Sequence, residues 1–297
     1  MVVNISILLA LSLAWASNYV FISTGDRGFE PFTATAFIAV LAAIFLLIVV
    51  RGVMRRPLWP TLRAKPAVPV VMAFTALAAP QLSSVIAENS ISPDLATVVG
   101  TAVPILTFLV GACVLRTVHA TALNFVGVAI AVAGIIVFAD PEQLFGQQAE
   151  LIGIAIMLSG GVVFVANGLY AAQRTSDLDQ YVLTVWIVVF AAIGLSVAAL
   201  IHEGVPDRMP GWDCIAALAA SGVFGTGLAY LLYYLLIARA GAGFTSLYAF
   251  LVPPLGVALT AVFLDGGLSL RHALGVAIVL AGLALVLWRR KDTQPEG

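Results

Sequence analysis

Apolar residues fall in long runs at 4–23, 32–50, 66–87, 95–115, 121–139, 151–172, 181–201, 214–237, 244–264 and 272–288. A helix crossing the roughly 30 Å hydrocarbon core of a bilayer needs about 20 such residues. The pattern therefore predicts an all-α polytopic membrane protein of ten transmembrane helices. The breaks between runs carry turn chemistry and charge, as in Gly25-Asp26-Arg27-Gly28, Asn89 to Asp94, Asp140-Pro141-Glu142 and Val205-Pro206-Asp207. No stretch outside the runs is long enough for a further domain. The first run contains Ala14-Trp15-Ala16, which imitates a signal-peptide cleavage site, but Met1 to Asn4 lacks a basic residue. It is expected to stay as the first span.

Composition narrows the function classes. The 297 residues are 62% hydrophobic and 10% charged, with mean hydropathy +1.08, whereas soluble chains carry about a quarter charged residues. That excludes an ordinary cytosolic enzyme, a nucleic-acid binder and a disordered scaffold, and a net charge of -1 suggests no polyanionic partner. Cys113 and Cys214 lie in or against apolar runs and read as small core residues. The placement of the positive charges gives orientation, because Lys and Arg mark the cytoplasmic side. With the N-terminus inside, inner segments hold Arg51, Arg55, Arg56, Arg63, Lys65, Arg116, Arg174, Arg239, Arg289, Arg290 and Lys291, and outer ones only Arg27, Arg208 and Arg271. The expectation is a multi-pass protein of the cell inner (plasma) membrane with both termini cytoplasmic.

The chain also repeats itself. Gly127 opens GVAIAVAGIIV and Gly275 opens GVAIVLAGLAL, 148 residues later. The fourth and ninth spans each carry an interior proline, Pro104 and Pro253. Two halves, 1–145 and 146–297, would each hold five spans, and an odd number forces the second half into the membrane in the opposite sense. Inverted repeats of this kind recur in secondary transporters, with substrate bound near the midplane. The alternative is that Gly/Ala/Val-rich helices resemble one another by composition.

The ten spans, the paired G-V-A-I-x-x-A-G helices and the opening LSLAWASNYVFIS resemble the drug/metabolite transporter superfamily, specifically its EamA-like ten-helix exporters. Within it, the W-x-S-N-Y-V motif resembles the YddG-like amino-acid exporters, which implies aromatic and other neutral amino acids as substrates. Members often carry an acidic residue at the end of the fourth and ninth helices. Asp265 fits this, whereas Arg116 stands at the comparable place in the first half.

Polar residues inside spans are costly unless they face a partner or a watery cavity. Of the charged residues only Glu88, at the outer end of the third span, approaches the hydrocarbon, and it is a candidate proton or gating residue. The uncharged ones share helical faces: Ser12, Trp15 and Asn18 in the first span, Gln81 and Ser84 in the third. Ser159, Asn167 and Tyr170 lie in the sixth, Thr226, Tyr230 and Tyr233 in the eighth, and Tyr248 in the ninth. Such a lining suits a zwitterion: amides and hydroxyls solvate its charged ends while aromatic rings pack its body and offer cation–π contact. The hydroxyls could instead bond back to their own helices, and Asn18 and Asn167 could join neighbouring helices. Pro80, Pro104, Pro253 and Pro254 mark candidate hinges. Gly127, Gly134, Gly275 and Gly282 form a smooth stripe for scaffold packing or a dimer contact. Tyr181, Trp212 and Trp288 read as interfacial anchors. His119, His202 and His272 lack metal-ligand spacing, so neither a metal nor a cofactor is expected.

The sequence reading is thus an exporter of small neutral or zwitterionic metabolites, working by alternating access through an uncharged cavity, as monomer or homodimer. Its partners are the lipid bilayer and a small-molecule substrate. The alternatives are an exporter of hydrophobic drugs or other metabolites, or a polytopic membrane enzyme or structural subunit. No GxSxG or HExxH string supports an enzyme.

Overall fold

A segment with no water to bond must satisfy its own N–H and C=O groups, and a helix does so within itself. The computed structural model describes residues 2–25, 28–88, 90–91, 99, 121–138, 148–263 and 270–287, and all regular elements among them are helical. They are α1 (Val2–Gly25), α2 (Pro31–Leu46), α3 (Trp59–Ala64), α4 (Ala67–Ala73), α5 (Ala79–Glu88) and α6 (Ala122–Phe138). After them come α7 (Gln148–Arg174), α8 (Gln180–His202), α9 (Trp212–Ala220), α10 (Ala229–Thr245), α11 (Tyr248–Phe263) and α12 (Leu270–Leu287). Wider π-helical turns, Leu47–Val53, Phe74–Ala78 and Ser221–Leu228, extend α2, join α4 to α5 and join α9 to α10.

Among the described residues, six stretches are long and apolar enough to cross a membrane: Val2–Ile22, Pro31–Val53, Ala67–Ala87, Leu151–Arg174, Gln180–His202 and Trp212–Ala242. Their outward faces are as apolar as their inward ones. On α8, Ile187 is 0% exposed and Ile201 74%, and a helix hydrophobic all round belongs in a core or a bilayer. Pro104, Cys113, Arg116, Asp265 and Trp288 lie outside the described residues, as does the fourth expected span except Val99. The eighth and ninth expected spans divide within the gap that hydropathy leaves between 237 and 244. Helix α10 runs to Thr245, with a break at Gly241 (φ 80°, ψ 162°), a backbone region open to glycine at little cost.

Residue contacts group the chain into two units, Met1–Val85 with Val163–Gly266, and Ile86–Val162 with Gly267–Gly297. In the first, Leu11, Leu46, Met72, Leu183, Ile187 and Leu236 form the buried centre. Cys214 is buried beside Ile38 and Leu218. In the second unit α6 crosses α12 at the glycine stripe. A Cβ on Gly134 would lie 2.6 Å from the Val279 nitrogen, and one on Gly282 would lie 2.4 Å from the Ala131 nitrogen. The stripe therefore serves a crossing within this chain. At the start of α6, Asn124 Oδ1 accepts from the Thr121 amide and hydroxyl, both at 2.7 Å, the reach-back half of a capping box.

Two sets of polar contacts fix the ends of the first unit's helices. Pro31 opens α2 and has no N–H, so Phe32 and Thr33 supply its first free amides. Both donate to the Glu203 carboxylate, at 2.8 and 2.7 Å, and the Thr33 hydroxyl adds a third bond at 2.6 Å. The His202 ring stacks on Phe32 with centroids 4.8 Å apart. A carboxylate from one connection thus caps a helix about 170 positions away, where helix-dipole charge favours an anion. Glu203→Ala is expected to cost about 1–2 kcal/mol, and Glu203→Gln less, in thermal unfolding of the detergent-solubilised protein. Equal unfolding of Glu203→Ala and the parent would refute the cap.

At the other set, Asp179 caps α8 through the Tyr181 amide (3.0 Å) and also pairs with Arg56, whose guanidinium lies 4.3 Å over the Tyr181 ring. The Tyr181 reading as a simple interfacial anchor omits this contact. Lys65 Nζ donates to Asp177 (2.7 Å) and to the Arg174 carbonyl (3.0 Å), and Trp186 Nε1 donates to the Leu58 carbonyl (3.0 Å). The Lys65 ammonium bonded to Asp177 holds its carboxyl below the usual carboxylate range. That tie is present above the range and fades as pH falls through it, and its exposure makes it a weak one. Arg55, at φ 56°, takes the left-handed position that lets the Arg56 amide reach back to the Val50 carbonyl and close the end of α2.

Candidate functional site

The first unit gathers aromatic rings around one residue of α1. Trp15, half-buried, has Tyr248 of α11 at 4.4 Å between centroids, Tyr233 and Tyr230 of α10 at 5.5 and 6.0 Å, and Phe164 of α7 at 6.1 Å. Most of these pairs are steeply inclined, the edge-to-face geometry aromatic quadrupoles prefer, contributing about 0.5–1.5 kcal/mol beyond area burial. Tyr233 is itself in ring contact with Phe164 (5.4 Å), Tyr234 (5.2 Å) and Tyr248 (6.0 Å). The cluster forms because Tyr230, Tyr233 and Tyr234 recur at helical spacing on α10, which turns all three toward α1 and α7. Gly168 makes room, since a Cβ there would fall 2.6 Å from Tyr233 Oη.

The polar groups around the cluster divide into spent and unspent. Tyr230 donates to the Ala76 carbonyl at 2.7 Å. Asn167, 1% exposed, donates to Tyr234 Oη at 3.0 Å and faces Thr75 Oγ1 at 3.2 Å, a hydroxyl that shares its one proton with the Val71 carbonyl at 2.8 Å. Asn18 accepts from Ser221 Oγ at 2.7 Å and donates to the Gly225 carbonyl at 3.3 Å. Ser12 and Ser84 donate back to the Leu8 and Pro80 carbonyls of their own helices, at 2.7 and 3.2 Å. In contrast, among the described residues the Trp15 indole N–H and the Tyr233 and Tyr248 hydroxyls have no hydrogen-bond partner, nor does the buried hydroxyl of Thr226. Buried polar groups are nearly always paired, so a group left open at a ring cluster is available to a ligand.

Of the residues singled out from sequence, Trp15, Tyr230, Tyr233 and Tyr248 come together, with Asn18 and Asn167 beside them. Tyr170 packs against the same core from α7. Gln81 and Ser84 are half-buried on α5, and Ser159 is exposed on α7, bonded to the Ile156 carbonyl at 2.6 Å. The backbone of α11 stays helical through Pro253 and Pro254, and Pro80 lies just inside α5. The side chain of Glu88 lies outside the described residues. Sequence reasoning missed Phe164, Tyr234, Thr75 and Ser221. Phe164 and Tyr234 each stand three or four positions from a chosen residue, Asn167 and Tyr230, which was a usable signal; Thr75 and Ser221 carried none.

Known proteins match the chain along most of its length. A family model described as the EamA-like transporter family matches twice, over residues 3–139 and 151–288, so the two matches begin 148 residues apart. An uncharacterized transporter of Archaeoglobus fulgidus is 27% identical over 212 residues, 68% of this chain and 71% of that protein. The uncharacterized transporter YxxF of Bacillus subtilis is 30% identical over 112 residues. That match spans 37% of this chain and 36% of the Bacillus protein. One crystal structure superposes over 97% of both chains with a TM-score of 0.75 at 18% identity, a likeness of fold alone.

Proposed function

The chain belongs to the EamA-like transporter family, and on that footing we propose that it exports small neutral or zwitterionic metabolites, in the first place aromatic and other large neutral amino acids. It is a membrane transporter and not an enzyme. The observation that carries the substrate reading is the set of unspent donors on an aromatic surface: the Trp15 indole N–H and the Tyr233 and Tyr248 hydroxyls. Such donors can hold a carboxylate, and the ring faces can take an ammonium or an apolar side chain. The described charged side chains on the surrounding helices are Arg174 in the last turn of α7, Asp213 in the first turn of α9, and Arg239 two residues before the Gly241 break, donating to Asn4 Oδ1 at 3.2 Å. A cargo with a large net charge would find no counter-charge among them.

In this reading ten helices form two inverted halves that rock about the aromatic site, with both termini in the cytoplasm of the cell carrying it in its inner membrane. Transport is facilitated diffusion or weakly coupled. Purified protein in liposomes is expected to carry phenylalanine, tyrosine, tryptophan or leucine down their gradients, with little change when a pH gradient is imposed. Flux of none of the common amino acids would overturn the substrate class. A steep dependence of uphill transport on the pH gradient would overturn the coupling.

A further inference from the structure

The two π-turns beside the aromatic site sit at matching places in the repeat. Shifted by the 148 residues that separate the two family matches, Phe74–Ala78 falls inside Ser221–Leu228. Each turn is met from another helix by an asparagine. Asn18 on α1 accepts the Ser221 hydroxyl (2.7 Å), and Asn167 on α7 faces the Thr75 hydroxyl (3.2 Å), which shares its one proton with the Val71 carbonyl of its own helix (2.8 Å). The two asparagines stand 149 positions apart. One carbonyl in each turn takes a side-chain donor, Gly225 from Asn18 (3.3 Å) and Ala76 from Tyr230 (2.7 Å), and these carbonyls are again 149 positions apart. Gly225 is needed for this, since a Cβ would lie 1.9 Å from Asn18 Oδ1. Every one of these contacts from another helix joins a residue of the first sequence half to one of the second.

We propose that Asn18 and Asn167 are a matched pair of positioning residues, each clamping the π-turn of the opposite half, and that they set the exchange between the transporter's states. The physical reason is that a π-turn winds its hydrogen bonds to the fifth residue and holds them less well than an α-helix, so such turns concentrate at functional sites. A turn of that kind keeps its shape only if outside groups occupy its carbonyls and hydroxyls. The clamps do so, and Tyr230 and Tyr233 follow immediately after the second turn, so its shape aims their rings at Trp15. Rocking of one half against the other must strain both clamps, and their repeat-related placement lets one loosen as the other holds. The asparagines are on this account spent on helices rather than on cargo, which rests on the transport reading above but not on the identity of the cargo.

Hydrogen exchange of the whole protein in lipid nanodiscs tests this without any substrate. Asn18→Ala is expected to speed amide exchange in 221–228 about ten-fold, the factor expected for one lost hydrogen bond, and to affect 74–78 several-fold less, through Tyr230 alone. Asn167→Ala is expected to do the reverse. Ser221→Ala and Thr75→Ala, milder changes, give the same crossed pattern and serve if an asparagine variant does not fold. Faster exchange confined to the mutated helix, or equal in both turns, overturns the clamp. In liposomes with phenylalanine as probe, both asparagine variants are expected to lower Vmax about ten-fold with KM within about two-fold. A rise in KM with Vmax kept would make the asparagine a direct ligand and overturn the positioning role. If the parent protein carries no phenylalanine, the substrate reading fails while the exchange experiment still decides the clamps.

Discussion

Gly282→Ala is expected to lower the stability of the folded protein by about 1–3 kcal/mol, the usual cost of forcing an extra methyl into a packed interior. Two backbone atoms, the Ala131 nitrogen at 2.4 Å and the Gly127 carbonyl oxygen at 2.5 Å, stand where the methyl must go. Backbone in a helix cannot swing aside as a side chain does, so α12 and α6 must separate along their whole crossing. Gly134→Ala meets the Val279 nitrogen at 2.6 Å and the Gly275 carbonyl at 2.9 Å and is expected to behave alike. Against a total folding free energy of about 5–15 kcal/mol such losses are large. Gly194→Ala is the control: nothing lies within 4 Å of the added methyl, and in mid-helix alanine is preferred by about 1 kcal/mol. Thermal unfolding in detergent ranks the three. A Gly282→Ala protein as stable as Gly194→Ala would mean that the helices do not meet at these glycines.

Loss of transport on changing the aromatic site is the second large effect. Trp15→Ala removes four ring contacts and one unspent donor, and is expected to abolish measurable amino-acid flux in liposomes. Because truncating a packed tryptophan can cost about 3–5 kcal/mol, thermal unfolding must accompany it. The cleaner variant is Tyr233→Phe. Its hydroxyl bonds to no described residue, so the protein loses no internal hydrogen bond and its stability is expected to hold or rise slightly, since an unpaired buried hydroxyl is costly. A ligand that used this hydroxyl would lose about ten-fold in apparent affinity. Unchanged flux at every substrate concentration in Tyr233→Phe would remove Tyr233 from the site.

The long spans were legible in the sequence because length and hydropathy suffice to set them. The runs at 151–172 and 181–201 correspond closely to Gln148–Arg174 and Gln180–His202. The repeat offset read from two glycine-led strings equals the spacing of the two family matches. The cluster around Trp15 was also legible, since its residues are rare aromatic or amide groups in spans that otherwise hold Ala, Val, Leu and Gly. What could not be read was which polar groups were already taken. Ser12 and Ser84 always have the carbonyl four residues back within reach, and sequence has no means of deciding between that bond and a cargo. The partners of Asn18 and of the α2 amides are about 200 and 170 positions away, beyond any periodicity. The π-turns were invisible because FTALA and SGVFGTGL carry no proline and satisfy an α-helical pattern equally well.

Each π-turn carries roughly one residue more than regular winding needs, and one residue is about 100° of rotation. Deleting a single position between 221 and 228 would restore ordinary winding and turn Tyr230 and Tyr233 away from Trp15, while leaving span length and hydropathy almost unaltered. The number of residues in that short stretch therefore matters as much as their identity. A relative one residue shorter there would present a different face to its cargo however similar the rest of its sequence, and swapping residues between such relatives would not exchange their specificities.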